Sequence, residues 1–177
     1  MDTKNHPVWT IYDEYRTARL NVKYYSALLY KAENKITWIN RFLLVTAPGS
    51  IVAGLWFWDF TIGQITWKIF GVIAAFLVTI QPTFNFTSKI KKYECKRYGY
   101  QELHNELDLI VIQIATNKKY TENLKNEFHQ IMSNKSGLKG YDDGRNENKR
   151  IKKRCTSEVK RELPTRSFFI PKELTND

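Results

Sequence analysis

The chain has 177 residues, room for one domain or one domain with a tail, and its 28 Lys and Arg outnumber 18 Asp and Glu to give a net charge of +10. Two cysteines, Cys95 and Cys155, are too few for a disulfide framework or, alone, a zinc site. Mean hydropathy is −0.48, which on average describes a soluble protein, but the average hides a division. Net charge is +3 in residues 1–41, zero in 42–87, +2 in 88–133 and +5 in 134–177, and Asp59 and Lys68 are the only charges in residues 42–88. A globular core spreads its apolar residues through the chain, so this segregation points to a membrane. Met1 to Leu20 holds no apolar run, so no cleavable signal peptide is expected and insertion would use internal segments.

Residues 1–41 form a first arm. His6-Pro7 marks a helix start, and Ile11, Tyr15, Ala18, Val22, Tyr25, Leu29, Ala32 and Ile36 recur at 4-3 spacing. Such a heptad-type seam predicts a helix continuous with the apolar block, and the seam needs a partner to bury it.

The block itself, residues 42–88, reads as a transmembrane hairpin. Phe42 to Trp58 is a charge-free run of 17 residues and Ile69 to Ser88 one of 20, with DFTIGQITWK between them as a tight reversal. At 1.5 Å per residue the first reaches about 25 Å, which Trp38, Ile39 and a snorkelling Arg41 extend. Tryptophans fall at both expected interfaces, Trp38 at one and Trp56, Trp58 and Trp67 at the other. A buried hairpin in a soluble protein is the competing reading, and it would need complementary apolar surface that the polar arms lack. Lys31, Lys35 and Arg41 before the first span, and Lys89, Lys91, Lys92, Lys96 and Arg97 after the second, place both termini in the cytoplasm by the positive-inside rule.

Thr46, Ser50 and Gly54 make a small-residue track in the first span, where Pro48-Gly49 is a hinge candidate. In the second, Thr79, Thr83 and Thr87 share a helical face with Asn85 and Gln81 nearby. They are pore-lining candidates, with Phe84 and Phe86 as apolar gates and Pro82 as a second hinge. Packing between helices with satisfied hydroxyls explains the same pattern. The spans hold no acid or base, which argues against proton-coupled transport.

Residues 89–133 form a second arm. Leu103, Leu107, Ile110 and Ile114, then Leu124, Phe128 and Ile131, resume the spacing of the first, so the two arms are expected to pair antiparallel, with leftover apolar faces drawing several chains together. Gly99 is expected to mark a bend. Residues 134–177 read as a linker and a basic tail, in which Lys149, Arg150, Lys152, Lys153 and Arg154 put five cations in six positions. Contact with anionic lipid, contact with a phosphate or oligonucleotide, and a solvated tail all fit. No aromatic residue interleaves with the cations, which disfavours base stacking.

No glycine-rich phosphate loop and no Cys or His cluster at metal spacing occurs, His6, His104 and His129 are scattered, and neither catalysis nor a cofactor is expected. Glu102 and Glu106 flank His104 but read as a wet helix face.

The order of parts resembles the SLATT superfamily of two-transmembrane proteins of bacterial conflict and anti-phage systems. The likeness is carried by YRTARLNVKYYSALLYKAENKITW, with Arg16, Ala18 and Arg19, and by KRYGYQELHNELDLIVIQIA, with Tyr100, Glu102 and Leu103, and spans roughly residues 8–132. It implies a pore-forming effector in the inner membrane, responding to a nucleotide or oligonucleotide from a partner nucleotidyltransferase-type enzyme or another infection sensor. The basic tail lies outside it, so no ligand contact carries over. The expectation is an all-α membrane protein: a two-helix hairpin continued by cytoplasmic helices in a homo-oligomeric bundle, acting as a ligand-gated channel. A non-conducting anchor that recruits a soluble partner or nucleic acid is the rival.

Overall fold

The 4-3 seam of the first arm lies on α1, Val8–Thr46, a single helix of 39 residues. The computed structural model describes residues 6–46, 60–80, 85–139, 148–171 and 174–175. After α1 come α2 (Thr61–Ile80), α3 (Phe86–Asn117), a short strand β1 (Tyr120–Thr121), α4 (Glu122–Asn134), α5 (Ser136–Lys139) and α6 (Lys149–Glu162). A 3-10 turn, Thr165–Ser167, and β2 (Leu174–Thr175) follow. The described residues are mostly helical, as patterned, apart from a two-residue parallel pairing of Tyr120 with Leu174 and Thr121 with Thr175.

Two compact units divide the chain, residues 1–27 with 93–177 and residues 28–92. In the first unit, Ile11, Tyr15, Ala18, Val22 and Tyr25 of α1 are buried together with Tyr100, Leu103, Leu107, Ile110 and Ile114 of α3. Tyr15 meets His104 and Asp108 while Tyr25 meets Tyr93, Lys96 and Tyr100, so the two helices run antiparallel. Thr121 caps α4 by accepting from the Leu124 amide, and α4 adds Leu124 and Phe128 to the core. Gly99 lies inside α3 without ending it, and a Cβ there would stand 2.5 Å from Leu138 Cδ2 of α5, so the Leu138 side chain would have to shift to admit one.

The region past residue 134 is more than linker and tail. Helix α6 lies along α1, burying Cys155 and Val159. Beyond it, Phe168 stacks on Tyr12 with centroids 4.3 Å apart, and the Tyr12 hydroxyl donates to the Phe169 carbonyl at 2.5 Å. Part of the cover for α1 expected from other copies is thus supplied within the chain. The expected linker is described only as far as α5.

In the second unit, Leu29 and Ala32 of α1 are buried, Ile36 is half-buried, and Phe42 meets Phe70 of α2 edge-on at 5.9 Å. Residues 47–58 of the first expected span lie outside the described residues. The second run does not form the helix expected over 69–88. Helix α2 begins at Thr61, and α3 begins at Phe86 behind Asn85, whose φ of 44° is left-handed. Helix α2 is long and apolar enough to cross a membrane: Thr61–Thr79 has mean hydropathy 1.6 with 6% of that window buried.

Candidate functional sites

Two arrangements carry chemistry, a cationic helix face in the first unit and a polar flank on α2 in the second. Helix α6 starts where the Asn148 side chain accepts from the Ile151 amide, and Lys160 and Arg161 in its last turn suit the negative end of the helix dipole. Its sequence holds seven cations and two carboxylates, Glu158 and Glu162. Both carboxylates turn toward α1. Lys23 Nζ lies 2.6 Å from Glu162 and 3.3 Å from Glu158, and Arg19 Nε lies 3.3 Å from Glu162. The hydrogen bond from Lys23 holds the Glu162 carboxyl below its usual range and raises the lysine in turn. Burial pushes up the Cys155 thiol beneath the helix. The Asn148 amide donates to the Tyr24 hydroxyl at 2.9 Å. Arg16 donates twice to the Leu163 carbonyl, at 3.0 and 2.8 Å, and stands 4.8 Å from the Phe168 ring centre. These contacts run antiparallel to α1 from residue 24 to residue 12, and they fix which side of α6 faces out.

All five cations singled out from sequence, Lys149, Arg150, Lys152, Lys153 and Arg154, are exposed. Helical register divides them. Lys149, Lys152 and Lys153 join Thr156, Ser157 and Lys160 around an open groove of about 500 Å3, while Arg150 and Arg154 lie on the flank and Arg154 is 3.5 Å from Glu158. The run of charge in sequence missed Lys160, Thr156 and Ser157. Counting 3, 4, 7, 8 and 11 residues on from Lys149 recovers them.

On α2, Gly63 is buried and Trp67, Phe70, Ala74 and Leu77 are half-buried along one face. Ile62, Ile65, Ile69, Val72, Ile73 and Phe76 are exposed on the other, Val72 to 71%. Between the two faces, Thr61, Gln64, Lys68, Ala75 and Thr79 follow one another along a flank, all exposed. Thr79 donates its hydroxyl proton to the Ala75 carbonyl at 2.9 Å, leaving the oxygen as an acceptor. Lys68, expected in the connecting loop, is part of this helix, about 10 Å along its axis from Thr61.

The other pore candidates do not continue this flank on one helix. Asn85, Phe86 and Thr87 belong to the start of α3, where Lys89 Nζ stands 6.0 Å from the Phe86 ring centre. Thr83, Phe84, Pro82, Pro48 and Gly49 lie outside the described residues.

His104 and its neighbouring carboxylates do not converge. Glu102 and Glu106 reach Lys135, at 2.8 and 3.8 Å, whereas His104 is buried against the Tyr15 ring at 4.4 Å. Burial holds His104 below its ordinary 6.5, with Arg19 acting in the same sense. Among the described residues no group of three His, Cys, Asp or Glu is placed to hold a metal ion. Comparison with known proteins gives no match: no family model fits the chain, and no characterised protein or solved structure is similar to it.

Proposed function

We propose that the chain is a homo-oligomeric pore of a bacterial inner membrane, an antiviral defence effector whose conductance responds to a nucleotide or oligonucleotide bound on the cytoplasmic side. One observation carries the reading: α2 is apolar with one face exposed along its length, yet one flank is polar through Thr61, Gln64, Lys68 and Thr79. In a bilayer the isoleucine face meets lipid at little cost, and a polar flank turned toward other copies lines a water-filled path. A second membrane span for each copy is expected from the charge-free sequence run that opens at Phe42, inside α1. Lysines and arginines on the outer sides of the block put both termini in the cytoplasm. The resemblance to the SLATT superfamily supplies the defence role and the partner nucleotidyltransferase-type enzyme, and the cations of α6 supply the ligand site.

Gating needs only two states a few kcal/mol apart and a ligand that binds one of them better. Ion flux from liposomes holding purified protein tests the proposal. Flux that changes when a ligand is added, and that falls when Lys68 and Thr79 are replaced, is expected. No flux under any ligand would leave the non-conducting anchor, in which the same replacements leave partner recruitment unchanged.

A further inference from the structure

The outward face of α6 narrows what the ligand of that site can be. Lys149, Lys152, Lys153 and Lys160 share it with Thr156 and Ser157, and neither carboxylate of the helix stands among them, because both face Lys23 and Arg19 of α1. The first turn contains no acid, so the positive end of the helix dipole adds to the lysine charges. Eleven residues separate the outermost lysines, about 16 Å along the axis, so a compact phosphate group would reach only part of the row.

The face carries no aromatic ring on which a base could stack, so recognition there is through phosphates and blind to sequence. Nor does it carry an apolar side chain. A helix that lies on a membrane surface sinks an apolar face between lipids, whereas Cys155 and Val159 of α6 are spent against α1. A linear row of ammonium groups, open to solvent and without an apolar anchor, matches a chain of phosphates.

We propose that this face binds the sugar-phosphate backbone of a nucleic-acid strand several nucleotides long, without sequence preference. The proposal names the ligand class for the cytoplasmic site proposed above and does not require conduction. The four lysines act as point charges on successive phosphates. Ser157 offers a hydroxyl, while Thr156, whose own proton goes to the Lys152 carbonyl at 2.9 Å, offers an oxygen acceptor.

The test is fluorescence anisotropy of the detergent-purified full chain with labelled strands of about twelve nucleotides, one oligothymidine and one of mixed sequence. The two should bind alike. Four neutralised phosphates on a single strand predict a log–log salt slope of about −3, or about fiftyfold weaker binding at 200 than at 50 mM salt. The variant K149Q/K152Q/K153Q/K160Q should lose at least about tenfold in affinity and most of the slope, and each single replacement should lower the slope by about 0.7. The inner face of α6 is untouched in these variants, and their melting temperatures report folding.

Absence of binding at low salt, binding unchanged in the single and quadruple variants, or strong preference for one sequence would overturn the proposal. Displacement of the strand by micelles doped with phosphatidylserine at lower charge concentration than unlabelled strand would make the leaflet the occupant and overturn it too. A chain that conducts but binds no strand loses this assignment alone. One that binds strand and never conducts keeps it and loses the pore.

Discussion

Tyr15 shows how one side chain serves packing and polarity together. Its ring covers His104, and its hydroxyl donates to Asp108 Oδ1 at 2.7 Å. With burial, that bond pushes the phenol far above its ordinary value. Burial also lowers His104, and its Nδ1 has no hydrogen-bond partner among the described residues. The folded chain therefore binds fewer protons at this site than the unfolded one once pH falls below the ordinary 6.5. Unfolding free energy rises with pH where the unfolded state holds more protons, so stability is full above about 6.5 and declines as pH falls through it. Melting temperature followed from pH 8 to pH 5 should drop, and His104→Phe should flatten the drop. Some slope should persist, because burial also lowers His6. A melting temperature that climbs toward acid would contradict this account.

At the scale of elements, α6 is held by two kinds of contact whose weights differ. Glu162 is 41% exposed, so its ion pairs with Lys23 and Arg19 are screened, and Glu162→Gln should cost less than about 1 kcal/mol, shrinking further in about 1 M salt. Val159 is 4% exposed, and Val159→Ala, which removes two buried carbons, should cost about 1.5 kcal/mol at any salt concentration. Hydrogen exchange of the α6 amides reads both, and a larger effect from Glu162→Gln would reverse the ranking. For α2 the element-scale prediction concerns Lys68. A ring of ammonium groups in a pore favours anions, so the reversal potential of reconstituted protein in a salt gradient should show anion preference. Lys68→Arg should keep that preference and Lys68→Glu should reverse it. Cation preference in the unaltered chain would remove Lys68 from the pore wall.

The same elements show what the sequence made legible. The seam of α1 could be read because seven of its eight positions are buried and Ile36 is half-buried, so the 4-3 spacing is the packing itself. Docking of α6 could not, because its inward face carries only Cys155, Val159 and a half-buried Ile151 among seven cations, and its carboxylates answer bases about 140 residues away. The charge-free run 69–88 does not coincide with one helix, because Lys68, which bounds that run, lies inside α2. Lys68 then read as loop, although an α-helix tolerates a long cationic side chain within an apolar stretch. Asn85, with its left-handed backbone, and Pro82 were the local signals that this run is not one helix.

For the whole molecule, the decisive property is that its apolar residues are of two kinds. Most of those of the first unit are covered by α1, α3, α4 and α6, with Leu109 and Ile112 of α3 exposed, whereas one whole face of α2 turns outward, Ile62 at 74% and Val72 at 71% exposure. An exposed valine in water tolerates an aspartate. The same replacement near the middle of a membrane helix costs about 3 kcal/mol of insertion free energy. Val72→Asp should therefore shift protein from the membrane pellet to the alkaline-wash supernatant, or abolish its accumulation, while the α6 variant Val159→Ala should stay in the pellet. An aspartate that leaves fractionation unchanged would show that α2 does not sit in lipid.

The bond between Tyr12 and Phe169 joins positions 157 residues apart. At ribosomal speeds of about 5 to 20 residues per second, the beginning of α1 waits roughly 8 to 30 seconds for its last neighbour to be synthesised. Over that interval Tyr12 and the arginine one turn on lack the late-made contacts that cover them in the folded chain. A nascent chain stalled late in translation would thus offer holding chaperones a sticky surface near its amino end, long after that end has left the exit tunnel.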